Sequence, residues 1–168
     1  PARSAQRYLS GDEYLTTIHR KTGKLFEAAA EIPALLSRQS ALQAYCRDFG
    51  ALLGSAFQIA DDIMDYTSTS EEMGKNVGDD IREGKMTLPI IYALEAATEA
   101  ERRHIAQVFK TGDDSDLPRL LGIIHRTQAL PRAKRLAEAE VAKAVALLDL
   151  LPQNAYTQGL SQLAELAI

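Results

Sequence analysis

The sequence predicts an all-α fold. Apolar residues recur at the three- and four-residue spacing of helices along almost the whole chain, and no stretch shows the alternating pattern of a strand. The 168 residues are 46% hydrophobic and 25% charged, which is the length and composition of one ordinary globular domain. We therefore expect residues 1–168 to form a single helical domain.

The helix boundaries follow from the apolar spacing and from the prolines and glycines. Helices are expected at residues 11–32, 40–66, 89–98, 99–109, 116–128, 131–151 and 154–168. The second of these would be about 40 Å long at the helical rise of about 1.5 Å per residue. Residues 67–87 contain Gly74, Gly78 and Gly84 and are expected to form a loop with short helical pieces. Short turns are expected at Gly112, Leu130 and Pro152.

Composition and charge exclude several classes of function. The net charge is −4, and the segment 61–85 alone carries eight acids and three bases. Acids and bases are therefore nearly equal in number in the rest of the chain. That remainder has no basic stripe of the kind that binds nucleic acid. No apolar run approaches the roughly 18 residues of a membrane span, and the first residues show no signal-peptide pattern. Cys46 is the only cysteine, which favours a reducing, cytoplasmic location.

Three aspartates at the end of the long predicted helix form the sharpest chemical signal. Asp61 and Asp65 are four residues apart, so their side chains lie on the same face of the helix, about 6 Å from each other. Asp62 lies about 100° round the helix and is still within reach of an ion that the other two bind. Oxygen ligands without a nearby His or Cys favour a hard ion such as Mg²⁺. A merely solvated acidic helix face remains the alternative.

Small residues precede these aspartates on the same strip of the helix. Gly54 and Gln58 lie on the strip, bordered by Gly50, Ala51 and Ser55. A solvated helix face would carry Lys and Glu at these positions. We therefore expect either a neighbouring helix or a bound substrate chain to pack closely against this strip.

Two lysines follow in the glycine-bearing segment. Lys75 and Lys85 stand among many acids, and the ammonium group of lysine suits phosphate oxygens where glycines let the backbone approach a ligand. The alternative is that both are surface lysines paired with local acids.

Another lysine lies in the first predicted helix. Lys21 falls on an apolar line with Tyr14, Ile18 and Leu25, where an unpaired ammonium is costly, so it either binds a partner or extends to solvent. Thr22 beside it directs its hydroxyl into a site or bonds its own helix backbone.

Together these residues resemble the trans-isoprenyl diphosphate synthase family, in particular its long-chain, octaprenyl-type members. The resemblance rests on Lys21-Thr22, on Phe57-Gln58 followed by the aspartates, and on the ordered run 74–89. It implies an isoprenoid-synthase-type helical bundle. Family members are roughly twice as long and carry a first aspartate-rich motif upstream, so this chain is expected to be the C-terminal half of the bundle.

The resemblance also implies a reaction and roles for named residues. The reaction is the Mg²⁺-dependent condensation of isopentenyl diphosphate with an allylic diphosphate, by a homodimeric prenyltransferase that we expect to need its other half for activity. By matching position, the resemblance implies that the metal ligands are Asp61, Asp62 and Asp65, with Asp80 as outer-shell support. It implies that the allylic diphosphate is held by Lys21, Lys75 and Lys85. It also implies that the developing cation is faced by Thr22 and Gln58.

Two other functions stay open at this point. A noncatalytic partner subunit of a heteromeric synthase would keep the helices for assembly and the aspartates as relics. A terpene cyclase shares the fold and the aspartate motif, but its second metal motif mixes Asn, Ser and Glu, and no such run occurs here.

Overall fold

The computed structural model describes residues 8–67, 79–112 and 116–168, and these residues form helices and turns without a strand. The prediction of an all-α fold is confirmed. The helices are α1 (Gly11–Ile18), a π-helical turn (His19–Gly23), α2 (Lys24–Leu36), α3 (Ser40–Thr67), α4 (Asp79–Arg82), α5 (Leu88–Ala96), α6 (Glu99–Thr111), α7 (Leu117–Arg126), α8 (Ala129–Leu148) and α9 (Ala155–Leu166).

Most helix boundaries agree with the sequence prediction to within a few residues. The turn expected at Leu130 lies earlier, because Gln128 adopts a positive φ of 55° and α8 begins at Ala129. The turn at Gly112 is confirmed, and this glycine adopts the left-handed conformation (φ 63°) that commonly ends a helix.

The first predicted helix is interrupted, and the apolar line drawn along it is wrong in its second half. The buried positions are Tyr14, Ile18, Gly23 and Ala34, whereas Leu25 is 73% exposed. The step from Ile18 to Gly23 is five residues, which is the spacing of the π-helical turn between α1 and α2. Because this turn contains one extra residue, the side chains after it lie on a different face from the one that regular helical spacing predicts.

The helices group into two compact units, the first made of Pro1–Tyr14 and Asp62–Arg132. Its core is a cluster of buried apolar side chains around α5, whose residues are buried on nearly every side. The fully buried members are Ile90, Ala93, Ile105, Leu120, Ile124 and Ala129. Arg126 binds Glu101 with two hydrogen bonds, of 2.8 and 2.6 Å, next to the capping box that Thr98 and Glu101 form at the start of α6.

The second unit consists of Leu15–Asp61 and Ala133–Ile168. In its core, apolar residues of α3, α8 and α9 pack together, among them Phe49, Ala56, Ala144 and Ala164. A methyl group on Gly50 would lie 2.4 Å from the backbone oxygen of Phe26. The close approach expected beside the small residues of α3 is therefore the packing of a neighbouring helix, α2.

Among the described residues, no helix combines the length and the apolar character required to cross a bilayer.

We expect Gly50→Ala to destabilise the chain by about 1–3 kcal/mol, because the added methyl group meets backbone atoms of α2 that cannot rotate away. Gly159→Ala is the matched control within the same unit. A methyl group there meets nothing within 4 Å, so alanine should be neutral or up to about 1 kcal/mol more stable. Urea denaturation of both variants measures the difference, and equal stabilities would contradict the close packing of α2 on α3.

Glu101 should make stability sensitive to acid. Hydrogen bonds from the Thr98 backbone, and then from Arg126, lower its pKa from 4.5 to about 2. The charged form is therefore favoured in the folded state, and its contribution is present above the ordinary pKa and lost as the pH falls from about 5 toward 2. We expect Glu101→Gln to be less stable at pH 7 and to lose less further stability on acidification. Thermal unfolding at several pH values tests this, and parallel pH profiles of the two proteins would count against it.

Candidate functional site

The end of α3 presents two different polar faces. Asp61 is exposed and Asp65 half-buried, one helical turn apart, whereas Asp62 and Tyr66, also one turn apart, are 5% and 6% exposed. The helix continues unbroken through all four residues because it contains no proline and no glycine after Gly54. The aspartates thus belong to two environments, one open to solvent and one buried.

On the buried face, two tyrosines supply the hydrogen bonds. The hydroxyl of Tyr14 on α1 donates to Oδ2 of Asp62 over 2.5 Å, and the hydroxyls of Tyr66 and Thr87 are 2.6 Å apart. Burial, and then the charge of Asp62, raise the pKa of Tyr14 well above its usual range. The Tyr14 hydroxyl therefore stays protonated and remains a donor.

On the open face, Asp65 and Asp80 are joined through the backbone. The backbone N–H of Asp80, in α4, donates to Oδ2 of Asp65 over 3.3 Å. The side chain of Asp80 accepts a hydrogen bond of 3.0 Å from Lys85, whose ammonium also lies 2.7 Å from Glu83. Hydrogen bonds to Glu83 and Asp80 raise the pKa of Lys85. In the described chain Lys85 thus forms the local ion pairs that the sequence left as its alternative role.

In the second unit, Thr22, Gln58 and Asp61 form a hydrogen-bonded chain. The Thr22 hydroxyl donates to Oε1 of Gln58 over 2.7 Å, and Nε2 of Gln58 donates to Oδ2 of Asp61 over 3.4 Å. Three predicted site residues, from the π-helical turn and from α3, are therefore brought together. Thr22 directs its hydroxyl to Gln58 on α3, which is another residue of the predicted site.

The structure places Lys21 differently from the expected apolar line. Lys21 is exposed, because the π-helical turn changes the phase of the side chains after Ile18. The exposed position of Lys21 avoids the cost of a buried ammonium group, and its contact with a diphosphate stays a prediction. Lys75 lies outside the described residues.

The donor set at the end of α3 is made of oxygen atoms, as a hard cation requires. Within residues 8–67, 79–112 and 116–168, however, no three His, Cys, Asp or Glu side chains are grouped closely enough to hold a metal ion. Asp62 is turned to Tyr14, so the ligands available on the open face of α3 are Asp61 and Asp65. These two fit a cation that takes a few protein carboxylates and completes its coordination with water or phosphate oxygens.

Sequence reasoning missed the role of Tyr14, Tyr66 and Thr87 beside the aspartates. Tyr14 entered only as one member of an apolar line. The available signal was chemical, because a tyrosine on a buried face needs a partner for its hydroxyl, and an acid on a neighbouring helix can supply one.

Similarity to known proteins shows the family to which this chain belongs. The sequence model of the polyprenyl synthetase family matches residues 2–124. The chain belongs to this family. The match covers more than half of the chain, and it confirms the family resemblance drawn from Lys21-Thr22, from Phe57-Gln58 with the aspartates, and from the run 74–89.

Two similar relatives are named as nonaprenyl and octaprenyl diphosphate synthases. The chain is 40% identical over 157 residues to the all-trans-nonaprenyl-diphosphate synthase (geranyl-diphosphate specific) of Rhodobacter capsulatus, covering 94% of this chain and 48% of that protein. It is 35% identical over 166 residues to the octaprenyl diphosphate synthase of Escherichia coli, covering 95% of this chain and 50% of that protein.

Solved structures of the family share the fold. A polyprenyl synthase from Caulobacter crescentus, crystallised with calcium and isoprenyl diphosphate, superposes with a TM-score of 0.87 at 36% identity, over 95% of this chain and 49% of that one. The chain thus spans about half the length of the relatives it matches.

We expect the hydroxyl of Thr22 and the amide of Gln58 to be energetically coupled. Thr22→Val keeps the side-chain shape and removes the donor, so a double-mutant cycle with Gln58→Leu should give a coupling of about 0.5–1.5 kcal/mol in the free energy of unfolding. Pairing Thr22→Val with Gln39→Leu, at an exposed position between α2 and α3, is the control and should be additive. Additivity of the first pair would show that the 2.7 Å contact contributes nothing measurable.

Proposed function

We propose that this chain carries the magnesium- and diphosphate-binding part of a trans-polyprenyl diphosphate synthase, which condenses isopentenyl diphosphate with an allylic diphosphate. The observation that carries the proposal is the open face of α3, where Asp61 and Asp65 stand one turn apart and each accepts a hydrogen bond. Membership of the polyprenyl synthetase family and the names of the relatives support the same reaction.

Asp61 and Asp65 are the proposed direct ligands of Mg²⁺. Two carboxylates on one helical face repel each other, and a cation between them relieves that repulsion. Gln58 orients Asp61, and the backbone N–H of Asp80 orients Asp65. When bound, Mg²⁺ would neutralise the negative charge that develops on the departing diphosphate. Asp80 is the proposed outer-shell support, because it holds Asp65 through its backbone and Lys85 through its side chain.

The exposed lysines are the proposed contacts to the diphosphate oxygens. Lys21 and Lys85 are exposed, and Lys75 joins them in the proposal by its position in the family motif. Lys85 is held by two carboxylates, so it would exchange Glu83 for a more highly charged diphosphate group and keep Asp80. The raised pKa of Lys85 keeps its ammonium charged for that exchange.

Thr22 and Gln58 are the proposed residues facing the allylic cation. Thr22 donates its hydroxyl proton to Gln58, so its own oxygen lone pairs remain available to face positive charge. The amide of Gln58 is fixed at both ends, by Thr22 and by Asp61, and needs little reorganisation when charge develops.

Elongation itself is proposed for the whole synthase domain. The chain spans about half of its relatives, so we expect residues 1–168 alone to bind Mg²⁺ and diphosphate while showing little or no chain elongation. A homodimeric assembly and a cytoplasmic location are parts of the same proposal. A partner subunit with relic aspartates would show no Mg²⁺-dependent diphosphate binding, which separates that alternative from ours.

Calorimetric titration of the chain with inorganic pyrophosphate tests the proposal. We expect binding with Mg²⁺ and none with EDTA, because the carboxylates and the anion repel each other without a bridging cation. Asp61→Asn and Asp65→Asn should each weaken the affinity at least about tenfold, the equivalent of about 1.4 kcal/mol.

Asp149→Asn is the matched control for these variants, since it neutralises an exposed carboxylate beyond the end of α8. It should leave the affinity unchanged. Binding that ignores Mg²⁺, or that falls equally in all three variants, would refute a specific site on α3. Robust elongation of farnesyl diphosphate by the isolated chain would refute the expectation that the other half is needed.

A further inference from the structure

We propose that His19 is a positioning residue, which holds the π-helical turn in the register that directs Thr22 to Gln58. It does so through a contact with Glu27 on α2. Neither His19 nor Glu27 belongs to the motifs on which the family resemblance rests. The inference rests on the proposed role of Thr22 and Gln58 in facing the allylic cation, and all four residues lie in the second unit.

The contact between His19 and Glu27 crosses the π-helical turn. Nε2 of His19, the first residue of the turn, lies 3.3 Å from Oε2 of Glu27, in the first turn of α2. Oε1 of Glu27 accepts a hydrogen bond of 2.7 Å from the ammonium group of Lys24. The side chain of Glu27 is only 13% exposed, so its carboxylate needs polar partners, and His19 is one of them.

The extra residue of the π-helical turn brings these two side chains together. His19 and Glu27 are eight residues apart, and in a regular α-helix this spacing leaves side chains about 80° from each other round the axis. A π-helical turn contains one more residue, which removes nearly all of that angle. Side chains also lean toward the N-terminus of a helix, so Glu27 is directed back toward His19. The contact therefore favours the π-helical register over a regular helix.

The imidazole ring also lies against the residue that packs the turn on α3. A methyl group on Gly23 would lie 3.0 Å from Nδ1 of His19, and a methyl group on Gly54 of α3 would lie 2.9 Å from Cα of Gly23. Gly23 is therefore close to both the imidazole ring and α3. Thr22, its neighbour in sequence, donates to Gln58, one helical turn after Gly54.

A turn held in this way suits the proposed role of Thr22. Dipoles that face a developing charge are most effective when they are already oriented, because turning them during the reaction costs free energy. The hydrogen bond to Gln58 orients the Thr22 side chain, and the contact of His19 favours the turn that makes this hydrogen bond possible. His19 thus acts on Thr22 through the backbone of the turn.

Two substitutions at position 19 test the contact with Glu27. Glutamine places a nitrogen donor near the position of the imidazole Nε2, so His19→Gln keeps the contact, whereas the shorter side chain of His19→Asn loses it. In proton–nitrogen correlation spectra, the side-chain amide resonances of Gln58 should shift in His19→Asn and stay near their wild-type positions in His19→Gln. A loss of stability alone does not move these resonances of the folded chain.

Further variants show whether His19 acts through Glu27 and Thr22. Glu27→Ala should shift the Gln58 amide resonances as His19→Asn does, and the two changes together should shift them no further. The coupling expected between Thr22 and Gln58 should be lost in the His19→Asn background and kept in His19→Gln. His125→Asn is the matched control, because this histidine is exposed and lies in the first unit. It should leave the Gln58 resonances unchanged.

Unmoved Gln58 resonances in a folded His19→Asn variant would overturn the inference. Equal shifts in His19→Asn and His19→Gln would do so as well, because the donor to Glu27 would then be irrelevant.

The pyrophosphate titration separates a positioning role from direct binding. His19→Asn should keep the affinity with Mg²⁺ within about threefold of the wild type, because the imidazole is directed to Glu27. A loss of about tenfold, as expected for Asp61→Asn, would make His19 a diphosphate ligand and overturn the positioning role. If the wild-type chain fails to bind pyrophosphate with Mg²⁺, the proposed function fails, and the Gln58 resonances still decide the inference.

Discussion

The rotation of α3 about its own axis is the constraint on which the candidate site depends. In the second unit, the contact of Gly50 and Gly54 with α2 leaves no room for a side chain, so the helix sits at one rotation there. In the first unit, Tyr14 and Thr87 hold Asp62 and Tyr66 on the buried side. At the end of α3, Asp61 and Asp65 are the aspartates that remain exposed or half-buried.

Local hydrogen bonds and ion pairs stabilise the charged side chains near the end of α3. The segment 61–85 carries five more acids than bases, a density that would repel itself if every carboxylate were exposed together. Instead, Asp62 is buried against a hydroxyl, Asp65 accepts from a backbone N–H, and Lys85 is shared by Asp80 and Glu83. Asp62, Asp65 and Asp80, which lie in the described part of this segment, are thus held in separate contacts.

Much of the fold was predictable because its helices are long and their apolar spacing regular. The bounds of α3 were predicted to within one residue, and the shared face of Asp61 and Asp65 followed from helical spacing alone. The buried face of the first helix was harder to predict, because a π-helical turn adds one residue to the regular spacing. The predicted apolar line therefore included Leu25 and Lys21, which are exposed. Such a turn depends on the packing of Gly23 and its neighbours, which local helix propensity does not report.

The sequence by itself determined the helical class, the acidic end of α3, the order of its motifs and hence the family, because these depend on residue types and on spacing along the chain. Only the tertiary structure decided that Asp62 differs from Asp61 and Asp65, that Thr22 reaches Gln58, and that Tyr14 belongs with the aspartates. The physical reason is that these contacts join residues 36 and 48 positions apart, which only helix packing can bring together.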